Sequence, residues 1–271
     1  MPKTKTYVND VATGIFMGAS MLVPSFSAGT AALVAGRYEL LIRLIDQWRS
    51  LLLNPITERH LIFRGASLGI GILSTVASLA TVIATALSSW ESQVISFFIG
   101  LILATALVFV PAVAEWRQTR TWYGLAIVGA LVALTQYVTT TIPLTVYTAP
   151  ILAVLAVTAM LLPGVSGSYV LLVVGAYQAM IHALSDPLNH VSILGVFVVT
   201  SVIYAEVIAD GIVKLLENNE SLAHTLIFAL LLSGGGLLTL QHGVTYTTAP
   251  YLILGLTTYP VIDYLQTNKS T

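Results

Sequence analysis

Long apolar stretches, separated by short polar segments, follow one another along almost the whole chain. A helix that spans a bilayer needs about 20 mostly apolar residues. Six stretches meet that requirement without interruption: residues 61–87, 93–113, 122–137, 191–215, 222–240 and 249–265. The pattern therefore predicts an all-α polytopic membrane protein.

Two further apolar stretches, residues 8–36 and 150–175, are long enough to span but are interrupted near their middles. The first contains Val-Pro-Ser-Phe-Ser-Ala-Gly-Thr at 23–30, and the second contains Leu-Pro-Gly-Val-Ser-Gly-Ser at 162–168. Proline removes a helical N–H and clashes with the preceding turn, and its small neighbours hold a helix poorly. We expect both stretches to break at these two Pro-small clusters.

The clusters also belong to an internal repeat, which is best sought before the architecture is assigned. An offset of 139 residues aligns identical residues of the two segments, among them Pro24/Pro163, Ser27/Ser166, Leu33/Leu172, Val34/Val173, Gly36/Gly175 and Tyr38/Tyr177. Each half is then a broken element followed by three spans. We predict one membrane domain over residues 1–271, with repeat 1 at about 8–138 and repeat 2 at about 149–266.

Composition and charge narrow the class of protein. Only 8% of the 271 residues are charged, whereas a soluble domain carries about 25%. The formal net charge of −1 gives no basic excess for nucleic-acid phosphates. The absence of cysteine excludes disulfides, thiolate metal sites and cysteine nucleophiles. Lipid is therefore the expected solvent, and no nucleic-acid partner is expected.

The position of the basic residues discriminates between two topologies. If each broken element enters and leaves on one side, all 11 Lys and Arg residues fall on or near the cytoplasmic side, as the positive-inside rule requires. If the elements cross, Arg37, Arg43, Arg49 and Arg59 lie outside. A basic start before an apolar run also fits a signal peptide, but a signal peptide has no reason to resemble a segment 139 residues downstream. We predict an inverted repeat, each half a re-entrant broken helix plus three transmembrane helices, with both termini cytoplasmic.

Interrupted helices in inverted repeats point their N-terminal dipoles at an anionic group near the bilayer midplane. About 13 residues precede each proline, a helical length on the order of 20 Å, so each break can reach the middle. Free N–H groups at helix starts bind anions, hydroxyls add donors, and glycine lets a ligand approach the backbone. The candidate phosphate-binding residues are Pro24, Ser27, Gly29, Thr30, Pro163, Gly164, Ser166, Gly167 and Ser168. An alternative is that the small residues only allow close helix packing, and both roles can hold together.

A few ionisable residues inside or next to apolar segments are gating or coupling candidates. An intramembrane carboxylate is expensive and suggests function, so Glu206 is a candidate partner for a coupling proton or sodium ion. Asp210 fits an ordinary interfacial ion pair. Arg64 fits a cytoplasmic boundary or a snorkelling side chain, and it could also meet an incoming anion. Arg37 and Glu39 end the first re-entrant arm and could form a gate.

A competing chemical interpretation comes from the sequence Gly-Val-Ser-Gly at 164–167, which matches the Gly-x-Ser-Gly of intramembrane serine proteases. That chemistry needs a histidine within hydrogen-bond reach at the same depth, and the five histidines fall at or near predicted loop ends. No cluster has metal-ligand spacing and no nucleotide phosphate loop is present. We therefore expect neither an enzyme nor a cofactor or metal.

The two motifs resemble those of a known family. Residues 163–177 read Pro-Gly-Val-Ser-Gly-Ser-x-x-Leu-Leu-x-x-Gly-x-Tyr, and residues 24–39 contain a related Pro-x-x-Ser-x-Gly-Thr-Ala and a later Gly-x-Tyr-Glu. This pattern resembles the bacterial polyprenyl-phosphate transporter family (PopT) through nearly the whole chain. The first motif departs from the family at Ser25, Phe26 and Ala28, and Met21 stands where an Asp commonly precedes it.

The resemblance implies a lipid-carrier flippase of the cell membrane. It would return undecaprenyl (polyprenyl) phosphate to the cytoplasmic leaflet for envelope polymer synthesis, with that lipid and the surrounding membrane lipids as partners. Two other functions stay open from the residues alone. One is a transporter or channel for a small soluble anion at the same half-helix site, and the other is a membrane scaffold that transports nothing.

Overall fold

Every regular element in the described part of the chain is an α-helix. The computed structural model describes residues 4–24, 28, 31–32, 35–46, 59–108, 110, 122, 126, 142–161, 165–218, 220–258 and 260. Its helices are α1 Thr4–Leu22, α2 Tyr38–Asp46, α3 Arg59–Val108, α4 Ala149–Leu161, α5 Gly167–Val173, α6 Tyr177–Ser185, α7 Val191–Asn218, α8 Glu220–His242 and α9 Ala249–Leu256. The all-α prediction is confirmed.

Three of the described helices are long and apolar enough to cross a membrane, over Arg59–Leu107, Val191–Ile208 and Thr225–His242. The first has 49 residues, a length on the order of 70 Å, about twice the hydrocarbon core of a bilayer. It is divided at Trp90, whose φ of −140° and ψ of 43° are not helical. That division falls between the predicted spans 61–87 and 93–113.

The remaining predicted spans are matched to different extents. Helices α7 and α8 cover the predicted spans 191–215 and 222–240 within a few residues. Helix α9 covers the start of the predicted span 249–265, and the predicted span 122–137 lies almost entirely outside the described residues.

The first broken element turns back on itself. Helix α1 ends at Leu22, next to a turn at Pro24. Ala31 and Ala32 then pack with Met17 of α1, and Arg37 hydrogen-bonds to Asp10 near the start of α1. The chain therefore returns along α1 to the end where it began. We call residues 4–37 the first hairpin.

The second broken element does the same. Helix α4 ends at Leu161 and α5 begins at Gly167, where an added Cβ would meet the Ala156 carbonyl oxygen at 3.1 Å. Further back, the N–H of Ile142 donates to the carbonyl of Val174 at 3.2 Å. We call residues 142–176 the second hairpin. Both breaks are present where proline predicts them.

The two hairpins end in the same local structure. Gly36 and Gly175, which the 139-residue offset pairs, have positive φ values of 65° and 74°, the conformation that commonly ends a helix. Helices α2 and α6 follow at equivalent positions with 9 residues each. Equivalent backbone bonds cap both turns: Arg37 N to Ala32 O (2.8 Å) and Ala176 N to Leu171 O (2.8 Å), with Ala35 N to Ala31 O (3.0 Å) and Val174 N to Val170 O (3.0 Å). The sequence repeat is thus a repeat of local structure, and its inverted orientation in a bilayer stays a prediction.

Glycines bring the first hairpin close to α3. An added Cβ on Gly71 would overlap the Val11 carbonyl oxygen and lie 2.8 Å from the Ile15 nitrogen. Contacts of α1 with α3 advance together along both helices, from Asp10 with Arg64 to Gly18 with Ile72. The two helices therefore run in the same direction and start at the same end of the bundle. A second close crossing joins α3 to α9 at Gly100 and Gly255.

We expect Gly71→Ala to lower the melting temperature of the purified protein, because the new Cβ forces α1 away from α3 at a cost of about 1–3 kcal/mol. Gly69→Ala is the matched control on the same helix, since nothing lies within 4 Å of its Cβ position. It should leave the melting temperature unchanged or raise it. Equal behaviour of the two variants in lipid nanodiscs would contradict the close crossing.

The cysteine-free chain permits a clean topology test with Ala35→Cys and Asn189→Cys, both at exposed positions. The re-entrant prediction places position 35 inside the cell and position 189 outside. In intact cells a membrane-impermeant maleimide should therefore label only Asn189→Cys, whereas permeabilised cells should label both. Labelling of Ala35→Cys from outside would mean that the first broken element crosses the membrane.

Candidate functional site

The break of the second hairpin buries two hydroxyl groups. Ser166 caps α5, and its Oγ accepts from the N–H of Tyr169 at 3.2 Å. The Oγ atoms of Ser166 and Ser168 lie 3.2 Å apart, and both side chains are buried. The predicted helix start after Pro163 is therefore present, and it satisfies one of its own free amides with a side chain. The two hydroxyls are polar groups that can donate to an anion.

The other candidate residues divide between described and undescribed positions. Pro24 is buried in the turn after α1. Gly167 packs against Ala156, which supports the alternative that the small residues allow close packing. The rest of the predicted phosphate-binding residues lie outside the described residues: Ser27, Gly29, Thr30, Pro163 and Gly164.

The two hairpins touch each other. Helix α1 contacts α5, and the hydroxyl of Tyr177 donates to the carbonyl of Leu22 at 2.8 Å. Leu22 is the last residue of α1, next to the first break, so Tyr177 satisfies a carbonyl that the broken helix leaves free. The meeting of the two broken elements is thus present among the described residues. That residues 27–30 face residues 166–169 stays a prediction.

Helix α8 also packs against α5. The buried hydroxyl of Tyr169 donates to the carbonyl of Leu230 at 2.5 Å, and its ring lies against Gly234. Buried tyrosine hydroxyls ordinarily need such a partner. Helix α5 is therefore fixed between α1, α4 and α8.

Three charged side chains meet at the end of the bundle where α1 and α3 begin. Asp10 is 0% exposed, and its Oδ1 accepts from Arg37 Nε at 2.8 Å. Arg64 binds the same carboxylate through two nitrogens, with Nε at 2.7 Å from Oδ2 and Nη2 at 2.9 Å from Oδ1. We call Asp10, Arg37 and Arg64 the charged triad.

Asp10 was not among the residues predicted from the sequence. Arg37 and Arg64 were predicted separately, Arg37 as part of a gate and Arg64 as a cytoplasmic boundary, a snorkelling side chain or a contact for an incoming anion. The structure joins them through one carboxylate, a role neither interpretation contained. A lone acid in the apolar stretch 8–36 was the available signal, since a buried charge needs a partner.

The remaining coupling candidates lie elsewhere. Glu39 is exposed and forms an ion pair with Arg43 at 2.6 Å, one turn along α2, so a gating role for it stays a prediction. Glu206 is exposed on α7, whose Tyr204 hydroxyl lies 3.1 Å from Thr158 Oγ1 of α4. The side chain of Asp210 lies outside the described part. Among the described residues, no group of three or more His, Cys, Asp or Glu could hold a metal ion.

Residues 17–249 match the model of the VCA0040-like, undecaprenyl phosphate translocase-like family. The chain belongs to this family. A polyprenyl-phosphate transporter of Vibrio cholerae is 31% identical over 191 residues, which are 67% of this chain and 61% of the relative. The chain thus aligns with less than two thirds of that relative's length. No solved structure matches the chain.

The match begins inside α1, in the first hairpin, and contains the whole of the second hairpin and the residues between the two. Membership of this family, together with the apolar helices, makes the chain a membrane protein of a transporter family, as its motifs indicate. The resemblance stated from those motifs is confirmed.

We expect Tyr177→Phe to lower the melting temperature, because it removes the donor to Leu22 and leaves a buried carbonyl unpaired, at a cost of about 1–3 kcal/mol. Tyr147→Phe is the matched control, since Tyr147 is exposed. Thermal unfolding of both variants in the same nanodiscs is the measurement. A melting temperature that is unchanged in Tyr177→Phe would contradict the bond from Tyr177, at the start of α6, to the end of α1.

Proposed function

We propose that the protein transports polyprenyl phosphate, undecaprenyl phosphate in particular, from the outer to the cytoplasmic leaflet of the cell membrane. Envelope polymer synthesis could then reuse the lipid carrier. The family to which the chain belongs and the name of the Vibrio cholerae relative, a polyprenyl-phosphate transporter, support this substrate. The process moves a lipid and breaks no covalent bond, so the protein is not an enzyme.

The physical task is to carry a charged headgroup through a medium that excludes charge. The prenyl tail can stay in lipid, but the phosphate needs donors along its way. Broken helices offer such donors, and they are tolerated at membrane depth only where protein or a wet cavity surrounds them. The contact of α1 with α5, the helix whose start carries the buried hydroxyls of Ser166 and Ser168, carries the proposal.

In the proposed bound state, the phosphate lies between the two Pro-small clusters. Ser166 and Ser168 would bind it from the second hairpin, and Ser27 and Thr30 from the first. The tail would leave the site sideways into lipid. Such a site needs no cofactor, because hydrogen bonds and helix dipoles supply the stabilisation.

Alternating access would follow from the inverted repeat. With repeats at about 8–138 and 149–266, six full spans and both termini cytoplasmic, the halves would rock around the midplane site. Arg37 and Glu39 would gate the inner side, and Glu206 would respond to a coupling proton or sodium ion.

The test is lipid-induced thermal stabilisation of the full chain in nanodiscs. We expect polyprenyl phosphate to raise the melting temperature, and polyprenol and inorganic phosphate to raise it little, because both the tail and the charged headgroup contribute. Ser168→Ala should weaken the effect of the lipid about tenfold, the usual loss for one hydrogen bond to a charged group.

Thr105→Val is the matched control, since Thr105 is buried in α3 and its hydroxyl bonds, among the described residues, only to its own helix at Leu101 O. It should keep the full response to polyprenyl phosphate. Stabilisation by inorganic phosphate alone would favour a soluble-anion transporter, and the absence of any response would favour a scaffold. Either result would overturn the proposed substrate.

A further inference from the structure

The charged triad carries a surplus positive charge. Two guanidinium groups share one carboxylate, so Asp10, Arg37 and Arg64 together bear a formal charge of +1. Both oxygens of Asp10 already accept from arginine, and its side chain is 0% exposed. Asp10 therefore orients the two arginines but neutralises only one of them. A surplus charge in partly apolar surroundings favours an anionic ligand.

Both arginines keep donors that Asp10 does not use. Arg37 uses Nε for Asp10 and Nη1 for the Gly36 carbonyl at 3.3 Å. Arg64 uses Nε and Nη2. Within the described part of the chain, Nη2 of Arg37 and Nη1 of Arg64 have no partner, and their side chains are 25% and 21% exposed. An incoming ligand can reach these donors.

The second hairpin turns back without such a triad. At the 139-residue offset, Ala149 and Ala176 of the second hairpin stand where Asp10 and Arg37 stand in the first. The second hairpin nevertheless turns back with the same glycine conformation and the same capping bonds. The charges are thus an addition to one hairpin, made at a place where alanine is enough for folding.

The surroundings of the triad suit a phosphate at the headgroup level. Asp10 lies about 9 Å along α1 from its first residue, and Arg64 about 8 Å along α3 from its own. One turn nearer the end, the rings of Tyr7 and His60 lie 6.5 Å apart. Along α1, Leu22 at the first break is about 18 Å beyond Asp10. The triad is therefore a place apart from the Pro-small clusters.

We propose that Arg37 and Arg64, held in position by Asp10, form a second anion site that binds a phosphate monoester where α1 and α3 begin. The guanidinium fork matches the non-ester oxygens of a phosphate, and two arginines can bind it together. Asp10 is a positioning residue, which keeps the two forks side by side when no ligand is bound. One part of this proposal rests on the proposed function. It is that the monoester is the headgroup of a polyprenyl phosphate that enters or leaves the midplane site.

Arg37→Gln is the decisive variant. It removes the surplus charge and leaves the two-bond pair of Asp10 with Arg64 intact, so the protein should still fold. We expect it to weaken the binding of polyprenyl phosphate in phosphatidylcholine nanodiscs about tenfold or more, and Arg37→Lys to restore part of that loss. Arg43→Gln is the matched control, since it removes an exposed cation of the neighbouring α2. It should keep the wild-type affinity.

Asp10→Asn tests whether a larger positive charge of the triad strengthens the response to an anionic lipid. It raises the formal charge of the triad to +2, so we expect a lower melting temperature without ligand and a larger rise when polyprenyl phosphate is added. A purely structural role of the triad predicts a loss of stability with no larger response to the lipid. If Asp10→Asn does not fold, Arg37→Gln decides the question alone.

The outcomes separate this site from the proposed function. A wild-type response to polyprenyl phosphate that is unchanged in Arg37→Gln overturns the second site and leaves the transporter proposal standing. An Arg37-dependent response to inorganic phosphate, without one to the lipid, supports the site and overturns the lipid substrate. If polyprenyl phosphate stabilises the wild-type protein at far lower concentration than inorganic phosphate does, and Arg37→Gln weakens that response, both the second site and the transporter proposal are supported.

Discussion

The structure depends on one constraint, which is that backbone N–H and C=O groups in apolar surroundings must be paired. A broken helix leaves several such groups free at each end. The second hairpin pairs them with the Ser166 cap, and Tyr177 reaches across to the free carbonyl of Leu22. The glycine turns at Gly36 and Gly175 close the far ends with the same backbone bonds. Two interrupted segments can therefore exist inside an apolar bundle, since the Ser166 side chain pairs a free N–H of the second and Tyr177 pairs a free carbonyl of the first.

The two halves share this scaffold and differ in chemistry. The second hairpin has buried hydroxyls at its break, at Ser166 and Ser168. The first has Asp10 and Arg37 of the charged triad at its base, with Arg64 contributed by α3, and its sequence departs from the family motif at Ser25, Phe26 and Ala28. The proposed transport works between two unlike surfaces, because it would release the headgroup on one side only. The unequal placement of charge in this chain fits that requirement.

Much of the fold can be predicted from local sequence signals, whereas the contacts that were not predicted join residues far apart in the chain. Proline predicts both breaks, the repeat predicts the equivalent glycines, and apolar length predicts α7 and α8 within a few residues. The triad was not predicted because Asp10 is 27 residues from Arg37 and 54 from Arg64. The bond of Tyr177 to Leu22 spans 155 residues. Such contacts depend on how hairpins pack, which periodicity and composition do not encode.

Translocation itself can be measured with the full chain in liposomes that carry a labelled polyprenyl phosphate only in the outer leaflet. An impermeant phosphatase added at successive times reports how much headgroup is still outside. If the protein is a flippase for this lipid, the protected fraction rises much faster with protein than in protein-free liposomes. The same slow rate with and without folded protein would contradict transport of the lipid by this chain.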